Sequence, residues 1–370
     1  MIYFDNASTT RVIPEAVNAS SEMMSDFFGN PSSLHSLGFE AEKRVTEVRG
    51  DIARILGASA DEIFFTSCGT ESNNLSVFGA AERSGRKKHI VTTAFEHPSV
   101  LNAVKKLESK GYNVTYVPPR SDGSVYAVDI AEAVCDDTFL VSVMAVNNEL
   151  GSVMDIAGIS RAVRTKNKDI LIHTDAVQAF MKIPLNVKKL DVDLLSLSGH
   201  KIHAPKGIGA LYAKRGTGIA PQVVGGGQEK GMRSGTEATS QIAALGAAVN
   251  AAESEFKTAA ERMYALSSEL EHGLSALDGV RVILPKSRAP HILTAIFPKF
   301  PSEVIMRILE SEGIYVSAGS ACSKGKKSHV LSVLGVPDRE IKSAVRISLS
   351  RFSTSEDVSA FLKTAEEKLV

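Results

Sequence analysis

Three short segments hold residue types at spacings that suit chemistry. In Ser196-Leu-Ser-Gly-His-Lys201 an apolar strand pattern runs into a polar turn, followed by Ala204-Pro-Lys-Gly-Ile-Gly209. A lysine at a strand's end beside Ser198 and His200 can be desolvated and held against a carbonyl, which lowers its pKa and permits a Schiff base. The ordinary alternative is a solvated turn lysine. In Ile170-Leu-Ile-His-Thr-Asp175-Ala-Val-Gln178 an apolar strand delivers an aspartate at its C-terminal end, the usual ligand face of an open α/β sheet. A carboxylate there can keep a pyridine nitrogen protonated and turn the ring into an electron sink, or it can simply cap a helix. In Phe64-Phe-Thr-Ser-Cys-Gly-Thr70-Glu-Ser-Asn-Asn74 a strand, a small-residue turn and a helix start follow one another. Free amides at such a start, with Gly69 allowing close approach and Thr70 adding a hydroxyl, form a phosphate cradle. Capping by Thr70 or Ser67 needs no ligand. Neither GxxxxGK[ST] nor a strand-to-helix GxGxxG is present, so the familiar nucleotide loops do not apply.

These residues need a scaffold, and the hydrophobic pattern supplies one. Strand patterns fall at Ile63–Thr66, Ile90–Thr93, Val114–Val117, Phe139–Val143, Ile170–Thr174, Leu194–Leu197 and Ile208–Tyr212. Amphipathic stretches at Leu37–Leu56, Thr70–Arg83, Pro98–Ser109 and Ile156–Lys166 lie between them as crossovers. The pattern predicts an α/β fold: a large domain over 14–250, with a mostly parallel seven-stranded sheet flanked by helices. From Thr236 toward Leu277 no glycine or proline pair interrupts an Ala-rich stretch, which predicts one long helix. Strands at Val280–Leu284, Ile292–Phe297, Tyr315–Ser317 and Val345–Leu349, with helices at Ser302–Ser311 and from Ser355, predict a smaller α+β domain made of 1–13 and 251–370.

Composition bounds the function class. The 370 residues carry 42 basic and 42 acidic side chains, which argues against a broad nucleic-acid or anionic-membrane surface. The longest apolar run, Ile242 to Val249, is far short of a membrane span, and the N-terminus lacks a signal-peptide pattern. Three scattered cysteines, Cys68, Cys135 and Cys322, offer neither a disulfide framework nor a CxxC zinc site, and no metal is expected. A soluble, cytoplasmic protein in a reducing compartment is the expectation. Cys322 stands among Gly319, Ser320, Ser323 and Gly325 with Lys324, Lys326 and Lys327 near, a setting that favours the thiolate. Cys135 in Ile130-Ala-Glu-Ala-Val-Cys135 reads instead as a small buried hydrophobe on a helix.

The chain resembles the cysteine desulfurases of iron-sulfur assembly, within the class V aminotransferase superfamily of pyridoxal 5'-phosphate enzymes. The resemblance runs nearly end to end through Tyr3–Thr10, Gly29–Ser33 with His35, Thr70–Asn74, Glu96-His97, Val146–Gly151, Asp175–Gln178, Ser198–Lys201, Gly225–Gln228, Met232–Thr236, Gly319–Cys322 and Val345–Leu349. It implies that Lys201 bonds the cofactor and moves the Cα proton, that Asp175 pairs with the pyridine nitrogen, and that Gln178 holds the ring oxygen. His97 would stack on the ring and take part in proton transfer. Gly69, Thr70, Ser198 and His200 would hold the phosphate, joined by Thr236 from the partner subunit of a homodimer. Asn147 would lie near the ring oxygen and the substrate carboxylate, which Arg346 would clamp. Cys322 would receive the sulfur of L-cysteine as a persulfide, leaving alanine, and pass it to an iron-sulfur scaffold or a tRNA-thiolation relay. Selenocysteine lyase, cysteine sulfinate desulfinase, another class V aminotransferase and a non-catalytic sulfur-relay paralogue are the alternative readings.

Departures from the family pattern are local. Cys68 stands where a small residue is usual, Met181 replaces a common glycine, and the segment after Cys322 is about two residues short, which limits a tether of at most ~3.5 Å per residue. The chain stops at Val370, without the longer extension that housekeeping members use to contact scaffold proteins.

Overall fold

The computed structural model describes residues 1–318 and 327–370, so Cys322 and the Gly319-Ser-Ala-Cys motif lie outside the described residues. Strand β1 (Ile2–Tyr3) precedes the main sheet, whose strands in chain order are β2 (Ile63–Thr66), β3 (His89–Thr93), β4 (Asn113–Val117), β5 (Thr138–Ser142), β6 (Leu171–Asp175), β7 (Leu194–Ser198) and β8 (Gly209–Ala213). The spatial order is β2-β8-β7-β6-β5-β3-β4, with every pairing parallel except the two made by β8. Alternating side chains explain why the central strands read as continuous apolar runs. Ile90, Leu140, Leu194 and Leu211 enter one core with Leu75, Val104 and Leu107. Their chain neighbours Val91, Val141, Leu195 and Ala210 enter the opposite core with Val45, Ile52, Ile159 and Leu245. Period-two alternation between two covered faces is what a sheet between helical layers demands.

A second sheet combines β9 (Arg281–Ile283), β10 (Ile292–Ile296), β12 (Ser317–Ala318) and β13 (Ala344–Ser348) in the antiparallel order β12-β13-β10-β9, while β11 (Ile314–Tyr315) pairs in parallel with β1. Phe4 from the N-terminal segment packs edge-on against Phe361 of the last helix, with centroids 5.8 Å apart. Both belong to a core shared with Leu266, Leu270, Leu293 and Val345.

Two helical expectations change. The long helix expected from Thr236 is two helices, Thr239–Ser254 and Phe256–Ala276, broken at Glu255. The first buries Ile242, Leu245 and Val249 beneath the main sheet; the second buries Leu266, Leu270 and Leu274 beneath the small one. A change of core, with the Glu255 carboxylate held 2.8 Å from Arg351, breaks the helix without glycine or proline. Cys135 is exposed, not buried: the helix ends at Ala133, and Val134 turns the chain toward β5. The single strand expected at Tyr315–Ser317 is divided between β11 and β12, because its two halves pair with different partners.

Met181 adopts φ +56°, a left-handed conformation that explains why glycine suits this position better. The next residue, Lys182, is 5% exposed, and burial, reinforced by Arg351, pushes its ammonium down to about 8. Between that value and the ordinary value of about 10.4 the unfolded chain binds the extra proton, so stability rises with pH across the window and the burial cost is complete below it. Lys182→Met therefore stabilises the protein by about 3 kcal/mol at pH 7, an advantage that shrinks by pH 9.5. Urea denaturation of both proteins at the two pH values measures it; an advantage that does not change with pH excludes the buried charge as its source.

Candidate active site

The parallel strands deliver their chemistry at one edge. Past the C-terminal ends of β2, β3, β6 and β7 come Gly69, His97, Asp175 with Gln178, and Lys201, and β3 and β5 flank the point where the strand order reverses. Open α/β sheets bind ligands at such a point. The turn Gly199–Lys201 ends β7 and brings the Lys201 Nζ to the carbonyls of Ala7 and Ser8, at 2.6 and 2.7 Å. Gln178 Nε2 donates to the same Ala7 oxygen at 2.8 Å, and its Oε1 lies 3.3 Å from Nε2 of the buried His291. Arg346, on β13 and 2% exposed, donates through Nη2 to Ser8 Oγ (2.5 Å) and Asp5 Oδ1 (3.1 Å), and through Nη1 to the Asn148 carbonyl (2.8 Å). The segment Asp5–Ser8, within the Tyr3–Thr10 motif, thus joins Lys201, Gln178 and Arg346, a part that its residue types do not announce in the sequence.

Asp175 closes β6 with Oδ1 accepting from the Val177 amide (2.9 Å) and Oδ2 from Asn73 Nδ2 (2.7 Å). Capping and a charge role are therefore compatible, since each oxygen takes only a neutral donor here. Asn73 also donates to Ser99 Oγ (2.8 Å), which lies 2.7 Å from His97 Nδ1. Asn73 and Ser99 have no distinctive sequence signal beyond their places beside Thr70 and His97. Burial pulls the His97 pKa down, Asp175 opposes this, and Lys201 and His329 add to it. His200 is driven to about 4, first by burial and then by Lys201, Lys206 and His97. Glu96 is wholly buried and pushed up to about 8 by burial, with Thr93 Oγ1 and the Met144 amide donating to one oxygen.

The phosphate-cradle residues fit an anion. Ser198 Oγ is buried with no hydrogen-bond partner among the described residues. The helix Gly69–Arg83 begins without a side-chain cap, and a Cβ on Gly69 would stand 2.6 Å from Val177 Cγ2 and 3.5 Å from Ser198 Cβ. An uncapped helix start beside an unpaired buried hydroxyl is suited to a phosphate group. His200 Nδ1 faces Thr9 Oγ1 at 3.2 Å, and Thr70 is exposed. Two nominated residues make none of these contacts among the described residues. Asn147 spends its Oδ1 on the Glu149 and Leu150 amides and its Nδ2 on the Phe95 carbonyl, so its amide shapes its own loop. Thr236 is exposed, in a loop tied to the helix start by Arg233 and Glu71 at 2.8 Å.

Ser328 donates to the buried Glu149 carboxylate, and His329 Nε2 lies 2.9 Å from the Glu96 carbonyl oxygen. Burial raises Glu149 to about 7. Among the described residues no helix is long and apolar enough to cross a membrane.

A lysine, an aspartate and an anion cradle at the C-terminal edge of a mostly parallel sheet define the pyridoxal-phosphate class of α/β enzymes. The chain belongs to the class-V aminotransferase family, whose model matches residues 2–361. It is 42% identical to cysteine desulfurase 2 of Trichormus variabilis, over 98% of this chain and 92% of that protein. With the cysteine desulfurase IscS of Methanosarcina thermophila it shares 40% identity, over 99% and 91% of the two chains. A solved NifS-like protein superposes with a TM-score of 0.94 at 42% identity, covering 99% of this chain and 98% of that one. A solved structure of SspA in complex with cysteine gives 0.84 at 34% identity, covering 96% and 100%.

Proposed function

We propose that the protein is a pyridoxal-phosphate-dependent cysteine desulfurase that converts L-cysteine to L-alanine and retains the sulfur on Cys322. One observation carries most weight: Lys201 and Arg346 both anchor on Ser8, the first on its carbonyl and the second on its hydroxyl. An amine-handling group and a guanidinium held by one residue match the amino and carboxylate ends of an α-amino acid. The relatives named as cysteine desulfurases, and the SspA structure with cysteine, direct the choice among amino acids to cysteine.

Lys201, Asp175, Gln178, His97, Gly69, Thr70, Ser198 and His200 are the residues that would hold pyridoxal 5'-phosphate, with Thr236 reaching it from a second copy and Asn147 beside the ring. When bound, the cofactor supplies an electron sink for bonds broken at the substrate α-carbon. The Val177 amide and Asn73 Nδ2 donate to the Asp175 carboxylate and fix its orientation at the end of β6, where it would face the pyridine nitrogen. Lys201 takes and returns the proton at the substrate Cα. Arg346 orients the carboxylate through the geometry of its fork. The Cys322 thiolate then attacks the substrate sulfur: an S–S bond forms, the Cβ–S bond breaks, and its electron pair stays on the carbon skeleton, which is protonated and leaves as alanine. The persulfide passes to an acceptor thiol of an iron-sulfur scaffold or a thiolation relay. We take residues 14–250 as the cofactor-binding domain, 1–13 with 251–370 as the small domain, the active unit as a homodimer, and the site of action as the cytoplasm.

The test incubates purified holoenzyme with L-cysteine and a thiol reductant. Alanine and sulfide form in equal amounts, and without reductant mass spectrometry finds one extra sulfur on the Cys322 peptide. Cys322→Ala loses both sulfide release and that adduct. Sulfide release from Cys322→Ala at the wild-type rate overturns the persulfide step, and faster turnover of selenocysteine or cysteine sulfinate than of cysteine overturns the substrate.

A further inference from the structure

The hydrogen-bond chain between Asp175 and His97 has only one consistent proton arrangement. Asn73 Nδ2 reaches Asp175 Oδ2 at 2.7 Å and Ser99 Oγ at 2.8 Å. Turning the amide over would set its oxygen against a carboxylate, so the amide nitrogen faces Asp175 and each of its two hydrogens has an acceptor. Ser99 Oγ, accepting from Asn73, has one hydrogen left, and the atom in line for it is His97 Nδ1 at 2.7 Å. The Ser99 backbone N–H points at the same nitrogen, 3.1 Å away, because His97 is the cap of the helix Pro98–Glu108. A backbone N–H can only donate. His97 Nδ1 therefore receives two donors and has no place for a proton of its own.

We propose that Asn73 and Ser99 are positioning residues that lock His97 in the Nε2–H form and keep it uncharged, so that the ring offers a hydrogen-bond donor to the site and the Cα proton is moved by Lys201 alone. The inference deepens, and rests on, the assignment of this site as the cofactor site. It narrows the part played by His97: protonating Nδ1 would set an N–H against two others and uncap a helix, while Nε2 already bears its hydrogen and cannot accept another. The charged groups around the ring do not reverse this. Asp175 favours the imidazolium but acts across the neutral Asn73, whereas Lys201, His329 and burial all act against it. His200, on the same turn as Lys201, is itself held neutral by burial. Ser99 and Asn73 are both buried, so water does not compete for these bonds.

The test is ¹⁵N NMR of holoenzyme labelled at histidine, with the His97 signals identified by their loss in His97→Gln. Between pH 6 and 9 the wild-type ring shows a bare Nδ1 and a protonated Nε2, and it does not titrate. Ser99→Ala removes one donor, and the ring then titrates with its midpoint moved up toward the ordinary value of about 6.5. Ser99→Thr, which keeps the hydroxyl, restores the wild-type pattern. In turnover, the wild-type kcat/KM profile has no limb from His97 in this range and Ser99→Ala gains one. If Ser99→Ala does not fold, Asn73→Ala serves, because it frees the Ser99 hydroxyl to turn away. A proton on Nδ1 in the wild type, a charged ring at pH 7, or a Ser99→Ala ring that titrates as the wild type does would each overturn the proposal. The NMR readout needs no substrate, so an intact pattern in a protein that does not turn over cysteine counts against the proposed reaction and leaves the tautomer assignment standing.

Discussion

Lys201→Ala loses the visible absorbance of the lysine-bound cofactor and lowers cysteine turnover by on the order of 10³-fold or more. The expectation follows from how the amine is held. Two backbone carbonyls, Ala7 and Ser8, fix Nζ at 2.6 and 2.7 Å, and neither can bond a carbonyl carbon in its place. The fold absorbs the loss, because Gln178 continues to donate to the Ala7 oxygen and the turn Gly199–Lys201 is held by the Ile202 amide on the Gly199 carbonyl. Lys201→Arg also fails: a guanidinium keeps the charge but does not form a Schiff base under these conditions. Absorption spectra of protein reconstituted with pyridoxal phosphate, read beside alanine formation, separate this outcome from simple loss of binding. A normal lysine-dependent spectrum in Lys201→Ala would remove Lys201 from its assigned place.

Arg346 carries the second large effect, and it carries two at once. Its guanidinium is buried against Asp5, Ser8 and Asn148, with Nε lacking an acceptor among the described residues. Arg346→Ala therefore leaves a carboxylate without its partner. A fully buried broken pair costs about 3–5 kcal/mol; the side chain of Asp5 is 23% exposed, which places the expected loss nearer about 2 kcal/mol. Catalytic efficiency falls by roughly 10²- to 10³-fold, mostly through KM, if Arg346 receives the substrate carboxylate. Arg346→Lys separates the two roles. An ammonium keeps charge opposite Asp5 and recovers much of the stability, but it lacks the planar fork, so KM stays at least about tenfold high. Denaturant titration gives the first quantity and steady-state kinetics the second. An unchanged KM in Arg346→Lys would assign the residue to holding the N-terminal segment and nothing more.

Much of this site could be read along the chain, because its parts are local. Short β-branched and aromatic runs bounded by turns place β2 at Ile63–Thr66 without error, and the other main-sheet strands within one residue of their ends. Each strand's end carries its own signal: Asp175 after an apolar run, Lys201 after Ser198-Gly-His, Gly69 before a helix pattern. The α/β fold and the identity of the central residues follow from those short-range patterns and from the motifs that resemble the family.

What the chain could not reveal by itself depends on residues far apart in sequence. The Ala-rich stretch from Thr239 has no breaker, yet it parts at Glu255 because its two halves serve different cores. Cys135 follows an apolar helical run and still reaches solvent, because the start of β5 pulls the chain away. The segment Asp5–Ser8 becomes the meeting point of Lys201, Gln178 and Arg346 through contacts spanning 171 to 341 residues, a separation no local window detects. The proton arrangement on His97 is of the same kind. The residue type permits either tautomer; Asn73, 102 residues from Asp175 and 26 from Ser99, selects one by giving each hydrogen a single acceptor. Sequence determined which residue types stand at the strand ends, since periodicity and turn chemistry are local properties. Tertiary structure alone decided their hydrogen-bond directions and the partners that hold them, since those are set by burial and by whatever the fold brings within 3 Å.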